Sequence, residues 1–178
     1  PVPDQAFDVV LSQFGLMLFS DRELAAREML RVLEPGGRLS VAVWNGIAHN
    51  PAYETLAALL EDVAGEPAAD AIRAPFSLGD RDGLAALFED AGASNVTVDT
   101  RTGTGRFPSI RTMVEADLRG WLPVTGIVLA EDEIAEALAR AEDMLAPYRA
   151  ANGSAEFAVS AHLLTAERPG DRPATERG

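Results

Sequence analysis

Between Ala6 and Trp44 the sequence runs strand, helix, strand with hardly any linker, an order that leaves one common local fold. Ala6 to Ser12 (Ala-Phe-Asp-Val-Val-Leu-Ser) is an apolar run rather than an alternating one, the pattern of a parallel strand covered on both faces. Ser20 stands three residues before Glu23, the spacing of a capping box, and Ala26, Met29, Leu30 and Leu33 follow as one helical stripe. Pro35-Gly36-Gly37 stops that helix, and Arg38 to Trp44 is a second strand rich in Val and Leu. Strand, helix and strand joined this tightly make a βαβ unit, which closes with a right-handed crossover.

The rest of the chain extends the pattern. Asn50-Pro51 opens a helix, with Asn as cap and Pro in the first turn, and Leu56, Leu59, Leu60 and Val63 form its stripe. Asp80 caps another, in which Leu84, Leu87, Phe88 and Ala91 repeat the spacing until Gly92 ends it. Asn95 to Arg101 is a strand in which Val96, Val98 and Thr100 alternate with polar residues, so one face is wet. Phe107 to Tyr148 is helical again. Pro108-Ser109 opens a helix bearing Ile110, Met113, Val114 and Leu118, and a break follows at Gly120 to Gly126. Glu131, Asp132 and Glu133 crowd the next first turn, where negative charge suits the helix dipole. Asn152-Gly153-Ser154 is a turn before a last strand, Glu156 to Thr165, and the polar tail from Arg168 to Gly178 reads as disordered. The expected fold class is α/β: a mixed sheet in one domain over residues 1–167, with a helical insert at 107–148 before the last strand.

Composition narrows the chemistry. The chain has 178 residues and no cysteine, which removes disulfides, thiol nucleophiles and Cys-ligated zinc. No metal site is expected. All 15 basic residues are arginine, so Schiff-base lysines and a phosphate-loop lysine are excluded. A net charge of −13 without a basic run argues against nucleic acid as partner. No apolar run is long enough for a membrane span and no secretory start is seen, so a cytoplasmic location and no membrane partner are expected. Only His49 and His162 could serve as histidine catalysts, and a reaction that needs mainly positioning fits this inventory best.

Two stretches carry a resemblance. Pro1-Val2-Pro3-Asp4-Gln5-Ala6-Phe7-Asp8-Val9-Val10 and Leu30-Arg31-Val32-Leu33-Glu34-Pro35-Gly36-Gly37-Arg38-Leu39 resemble the words that enter the fourth and fifth strands of class I S-adenosylmethionine-dependent methyltransferases. The similarity is to the ubiquinone/menaquinone-biosynthesis-like branch, and Val159 to Leu164 resembles the seventh strand of small-molecule members. The resemblance implies a partial Rossmann-like fold, S-adenosylmethionine as cofactor and methyl transfer to a small-molecule acceptor, hydrophobic in character. The family's acidic and Gly-rich cofactor motifs precede the matched words and are not in this chain, which implies a fragment: a truncated, processed or incompletely recorded product. A sheet lacking those strands is expected to expose an edge and a buried-type face, and so to be unstable alone, dimerised or completed by something else.

Candidate residues follow from position. Ligands of open α/β sheets sit beyond the carboxyl ends of the strands. By the resemblance, Ser12, Gln13, Phe14 and Gly15, just after the first strand, are cofactor-binding; the plain alternative is a tight loop with a buried Phe. Trp44 and Asn45 end the second strand and are candidates to contact the acceptor, unless Trp44 is simply core. Trp121, with Phe107, Met113, Leu122 and Met144, would supply an apolar wall from the insert. His49, in the loop after the second strand, is the candidate general base, against the alternative of a solvated loop histidine. Asp8 lies at the amino end of its strand, roughly 13 Å from the tip, and is read as structural, as is His162. Pro35-Gly36-Gly37 acts through backbone conformation, not phosphate binding. The competing functional reading is a non-catalytic methyltransferase-like interaction or dimerisation module, a homodimer pairing through the exposed sheet edge.

Overall fold

The computed structural model describes residues 2–170. The chain divides into two compact units: Pro1–Trp44, Leu78–Arg101 and Ala161–Gly178 form the first, Asn45–Ser77 and Thr102–Ser160 the second. The tail expected to be disordered falls, from residue 171 on, outside the described residues.

The first unit holds the βαβ element. Strands β1 (Phe7–Gln13) and β2 (Leu33–Trp44) are parallel, with α1 (Arg22–Val32) between them in sequence. Their register runs from Val9 opposite Arg38 to Gln13 opposite Ala42. Two further strands, β3 (Ser94–Phe107) and β4 (Ala155–Glu167), complete a four-stranded mixed sheet of order β1-β2-β4-β3. Antiparallel β4 meets β2 from Arg38 opposite Glu167 to Trp44 opposite Ala161. Alternate residues of β2, Leu39, Val41 and Val43, are buried together with Leu164 and Ala166 of β4. Onto this face pack Ala26 and Leu30 of α1 and, farther along the chain, Leu84 and Phe88 of a helix at Arg81–Asp90.

The opposite face is open. Phe7 and Val9 are each 45% exposed and Leu11 is 73% exposed. The apolar run of β1 therefore does not mark a strand covered on both faces among the described residues; only its Val10 side packs on the core. Among the described residues β1 pairs with β2 alone, as an edge strand with an exposed apolar face.

Helix α1 begins one residue later than its capping-box pattern suggests. Asp21 is the N-cap, and its carboxylate accepts from the Leu24 amide at 2.7 Å. A carboxylate is the better acceptor and also meets the positive end of the helix dipole, so Asp21 displaces Ser20. At the other end the Arg168 guanidinium donates to the carbonyls of Leu30 and Arg31 at 3.3 and 2.9 Å and to that of Leu33 at 2.5 Å. Pro35-Gly36-Gly37 lies inside the β1–β2 ladder as an irregularity, not ahead of the strand. Gly36 takes φ +81°, and a Cβ on Gly37 would stand 2.9 Å from the Glu34 carbonyl and 3.1 Å from that of Asp8. His162 is buried in this unit; Nε2 donates to the Gly79 carbonyl at 3.0 Å, and in the neutral ring Nδ1 accepts from the Thr100 hydroxyl at 2.9 Å. Both ring nitrogens are thus engaged in tying β4 to β3 and to the loop at Gly79, the structural role expected for it.

The second unit is mostly helical. Helix α2 (Pro51–Ala64) is followed by α3 (Glu66–Arg73), which the periodicity does not separate; Gly65 at φ +84° turns the chain between them and Pro67 opens the new helix. Helix α4 is the Arg81–Asp90 helix of the first unit, capped by Asp80 as expected. Helix α5 (Ile110–Ala116) does not break at Gly120. It widens into a π-turn, Asp117–Trp121, and runs on into a short α6 (Leu122–Val124), leaving the helix only at Thr125. Helix α7 (Glu131–Met144) follows, where the Glu133 side chain accepts from the Ala130 amide at 2.8 Å. The core joins Leu56 and Leu60 of α2, Met113, Leu118, Leu138 and Phe157. The Phe157 ring lies 6.1 Å from those of Phe107 and Tyr148 and 5.8 Å from that of Tyr53. Among the described residues no helix is long and apolar enough to cross a membrane.

Candidate functional site

The parallel pair β1 and β2 brings two aromatic residues together at its carboxyl-terminal tips. Ser12 faces Val41 and Gln13 faces Ala42 in the register. The chain then leaves the sheet through Phe14, whose amide donates to the Ala42 carbonyl at 2.9 Å. Phe14 sits at φ +52°, a left-handed conformation rare for a bulky residue and costing on the order of 1–3 kcal/mol. What holds it there is visible: the backbone bond to β2, the buried Leu16 and Met17 in the next 3₁₀ turn, and a stack of the Phe14 ring on the Trp44 indole. The ring centroids are 4.2 Å apart at an interplanar angle of 20°. Both rings are half-buried, as are Ser12 and Gly15, while Gln13 is exposed.

Of the other candidate residues, Asn45, His49 and Trp121 lie in the second unit, and the side chains of Asn45 and Trp121 engage protein partners. Asn45 is buried; its carboxamide donates to Ser160 Oγ at 3.0 Å and accepts from the Gly46 amide at 2.7 Å. His49 ends an exposed 3₁₀ turn, Ile47–His49. Trp121 closes the π-turn, and its indole N–H donates to the Ala71 carbonyl at 2.7 Å. Asp8 is exposed on β1. Among the described residues no cluster of His, Cys, Asp or Glu could hold a metal ion.

Three polar residues escape sequence reading. Asn50 has the look of a helix cap, yet it makes no cap bond and is fully buried against Ser160. Ser160 is one small residue in a strand and carries no signal. Asp117 begins the π-turn, and burial pushes its carboxyl up to about 7. Burial, with a smaller contribution from the Asp117 charge, also raises the Tyr53 hydroxyl, to about 12. An acidic residue among apolar ones on a helix was the only hint, and most such residues face water.

Residues 1–41 match the family described as a methyltransferase domain. The ubiquinone/menaquinone biosynthesis C-methyltransferase UbiE of Cronobacter sakazakii is 34% identical over 113 residues, 58% of this chain and 45% of that protein. The chain thus spans less than half the length of the curated relatives it matches. Among solved structures, a protein of Bacillus halodurans assigned as a methyltransferase aligns with a TM-score of 0.53 at 14% identity, over 95% of this chain and 73% of that one. A protein from an antibiotic biosynthesis pathway of Anabaena variabilis, also assigned as a methyltransferase, aligns at 0.55 and 12% identity, over 91% and 68%. At such identities the structural likeness speaks for the fold alone. In its first 41 residues the chain is thus similar to methyltransferase domains, and its fold is like those of the two solved structures.

Proposed function

We propose that the protein this chain represents transfers a methyl group from S-adenosylmethionine to a small-molecule acceptor, and that the tips of β1 and β2 form part of the ligand crevice. The observation that supports this most is the parallel pairing of the two strands whose sequences match the family, with Phe14 stacked on Trp44 where they end. The cofactor supplies an activated methyl on a sulfonium centre, and the protein's work is alignment and desolvation. The surroundings fit such a cation: aromatic faces are uncharged, exclude water and attract positive charge. In this reading Ser12 and Gln13 offer backbone groups to the methionine end, Gly15 keeps the turn narrow and Phe14 packs on the ligand. Trp44, at the tip of β2 in the same unit, borders the acceptor.

The curated relatives act in ubiquinone and menaquinone biosynthesis, which is compatible with an apolar small-molecule acceptor. The sequence matches lend nothing to the alternative of a non-catalytic module. Calorimetric titration with S-adenosylhomocysteine tests the reading. A protein of those relatives' length that contains this chain at its carboxyl end, the extended protein, is expected to bind the probe tightly. No binding by the extended protein would refute the proposal.

A further inference from the structure

The loop that leaves β2 is held by a buried polar latch with no capping role. Asn50 is 1% exposed, Asn45 7% and Ser160 6%. Asn50 Oδ1 accepts from the Ser160 amide at 2.9 Å. Its Nδ2 donates to the carbonyls of Asn45, Gly46 and Ser160 at 3.0, 3.3 and 3.4 Å. Asn45 completes the circuit: its amide donates to the Ser160 carbonyl at 3.0 Å and its carboxamide to Ser160 Oγ at 3.0 Å. Between the two asparagines the loop is a single 3₁₀ turn, closed by the His49 amide on the Gly46 carbonyl at 2.8 Å.

This arrangement is specific to a carboxamide of this length. One atom must accept from an amide while a neighbouring one donates to several carbonyls. Aspartate would set a charge against those carbonyls, alanine would take from the Ser160 amide its Asn50 acceptor and from the Asn45 carbonyl its Asn50 donor, and glutamine would carry one methylene too many. Asn50 sits directly before α2, where a side chain of its type ordinarily caps the helix. Here its side chain turns away and the helix goes uncapped. A local capping bond is given up for a long-range one.

We infer that Asn50 is a positioning residue: through the backbone of Asn45 it fixes the end of β2 and so holds Trp44, the next residue back along the chain, in place for a ligand. The use of that placement rests on the methyltransferase reading; the latch itself does not. A preformed strand tip spares the ordering cost that a mobile loop would add to binding.

Fluorescence of the chain itself provides the test. The sequence has two tryptophans, so Trp121→Phe leaves Trp44 as the sole indole. In that background Asn50→Ala is expected to move the Trp44 emission to longer wavelength and to raise its acrylamide quenching roughly twofold, by local loosening in a molecule that stays folded. Leu60→Ala, a core truncation in α2 whose side chain makes none of the latch's hydrogen bonds, serves as a destabilised control and should leave both readings where they were. Should Asn50→Ala fail to fold, Ser160→Ala, which deletes only the hydroxyl that Asn45 grips, gives the same change in milder form. An unaltered Trp44 signal in folded latch variants overturns the inference, as does an equal change in the Leu60→Ala control. No ligand is involved, so either result leaves the methyltransferase reading to its own calorimetric test.

Discussion

Asp117 shows how a single side chain can set the pH response of the second unit. Burial disfavours its charged form and lifts its carboxyl from 3.8 to about 7. Between those values the folded state holds more proton than the unfolded one, so this group's contribution to stability falls as pH rises through the window and levels off above about 7. Asp117→Asn removes the ionisation. The variant is expected to lose this part of the slope and to melt about 3 °C above the parent at pH 8, with little difference at pH 4. The carboxyl is only half-buried and keeps some contact with water, which is why the expected gain is modest. Thermal melts across pH check this; parallel slopes in the two proteins would mean that Asp117 is not the group responsible. At this scale the sequence was legible where chemistry is local. Asp80 caps α4 as its position suggests, and Gly36 takes the left-handed turn expected of it. Asn50 was misread because a cap and a tertiary latch use the same residue at the same place. Ser20 was misread because the adjacent Asp21 makes a stronger cap.

Among the elements, β1 carries the greatest physical liability. Its outer face bears Phe7, Val9 and Leu11, and among the described residues no strand pairs with its outer edge. Such an edge pairs with whatever chain it meets unless a charge interrupts it. The 178-residue chain is therefore expected to self-associate as its concentration rises. Leu11→Lys, which plants a charge on the most exposed of the three, should return it toward monomer in sedimentation velocity. An unchanged distribution would place the association elsewhere. Strands and helices were largely readable from residue pattern: β1, β2, α4 and α7 form where it places them, and α1 does so except for Leu33, which begins β2. What the period missed were junctions. Gly65 splits what looked like one helix into α2 and α3, and the π-turn at Asp117–Trp121 carries the helix past the Gly120 that looked like a break. A wider turn keeps the i to i+5 bond and so passes a glycine without a stop.

Taken as a whole, the molecule joins a family-marked strand pair to a helical unit built on its own core. The strand pair could be foreseen because two family words flank it; the Phe14–Trp44 stack could not, because contact between residues thirty apart leaves no trace in local pattern. The central claim is that the tips of β1 and β2 contact the cofactor. The most direct test is calorimetric titration of S-adenosylhomocysteine into the amino-terminally extended protein and its Phe14→Ala variant. Loss of the ring should weaken binding about tenfold, near 1.4 kcal/mol, with the fold retained by circular dichroism. Equal affinity in the two proteins would contradict the claim and take Phe14, with the strand tip that presents it, out of the site.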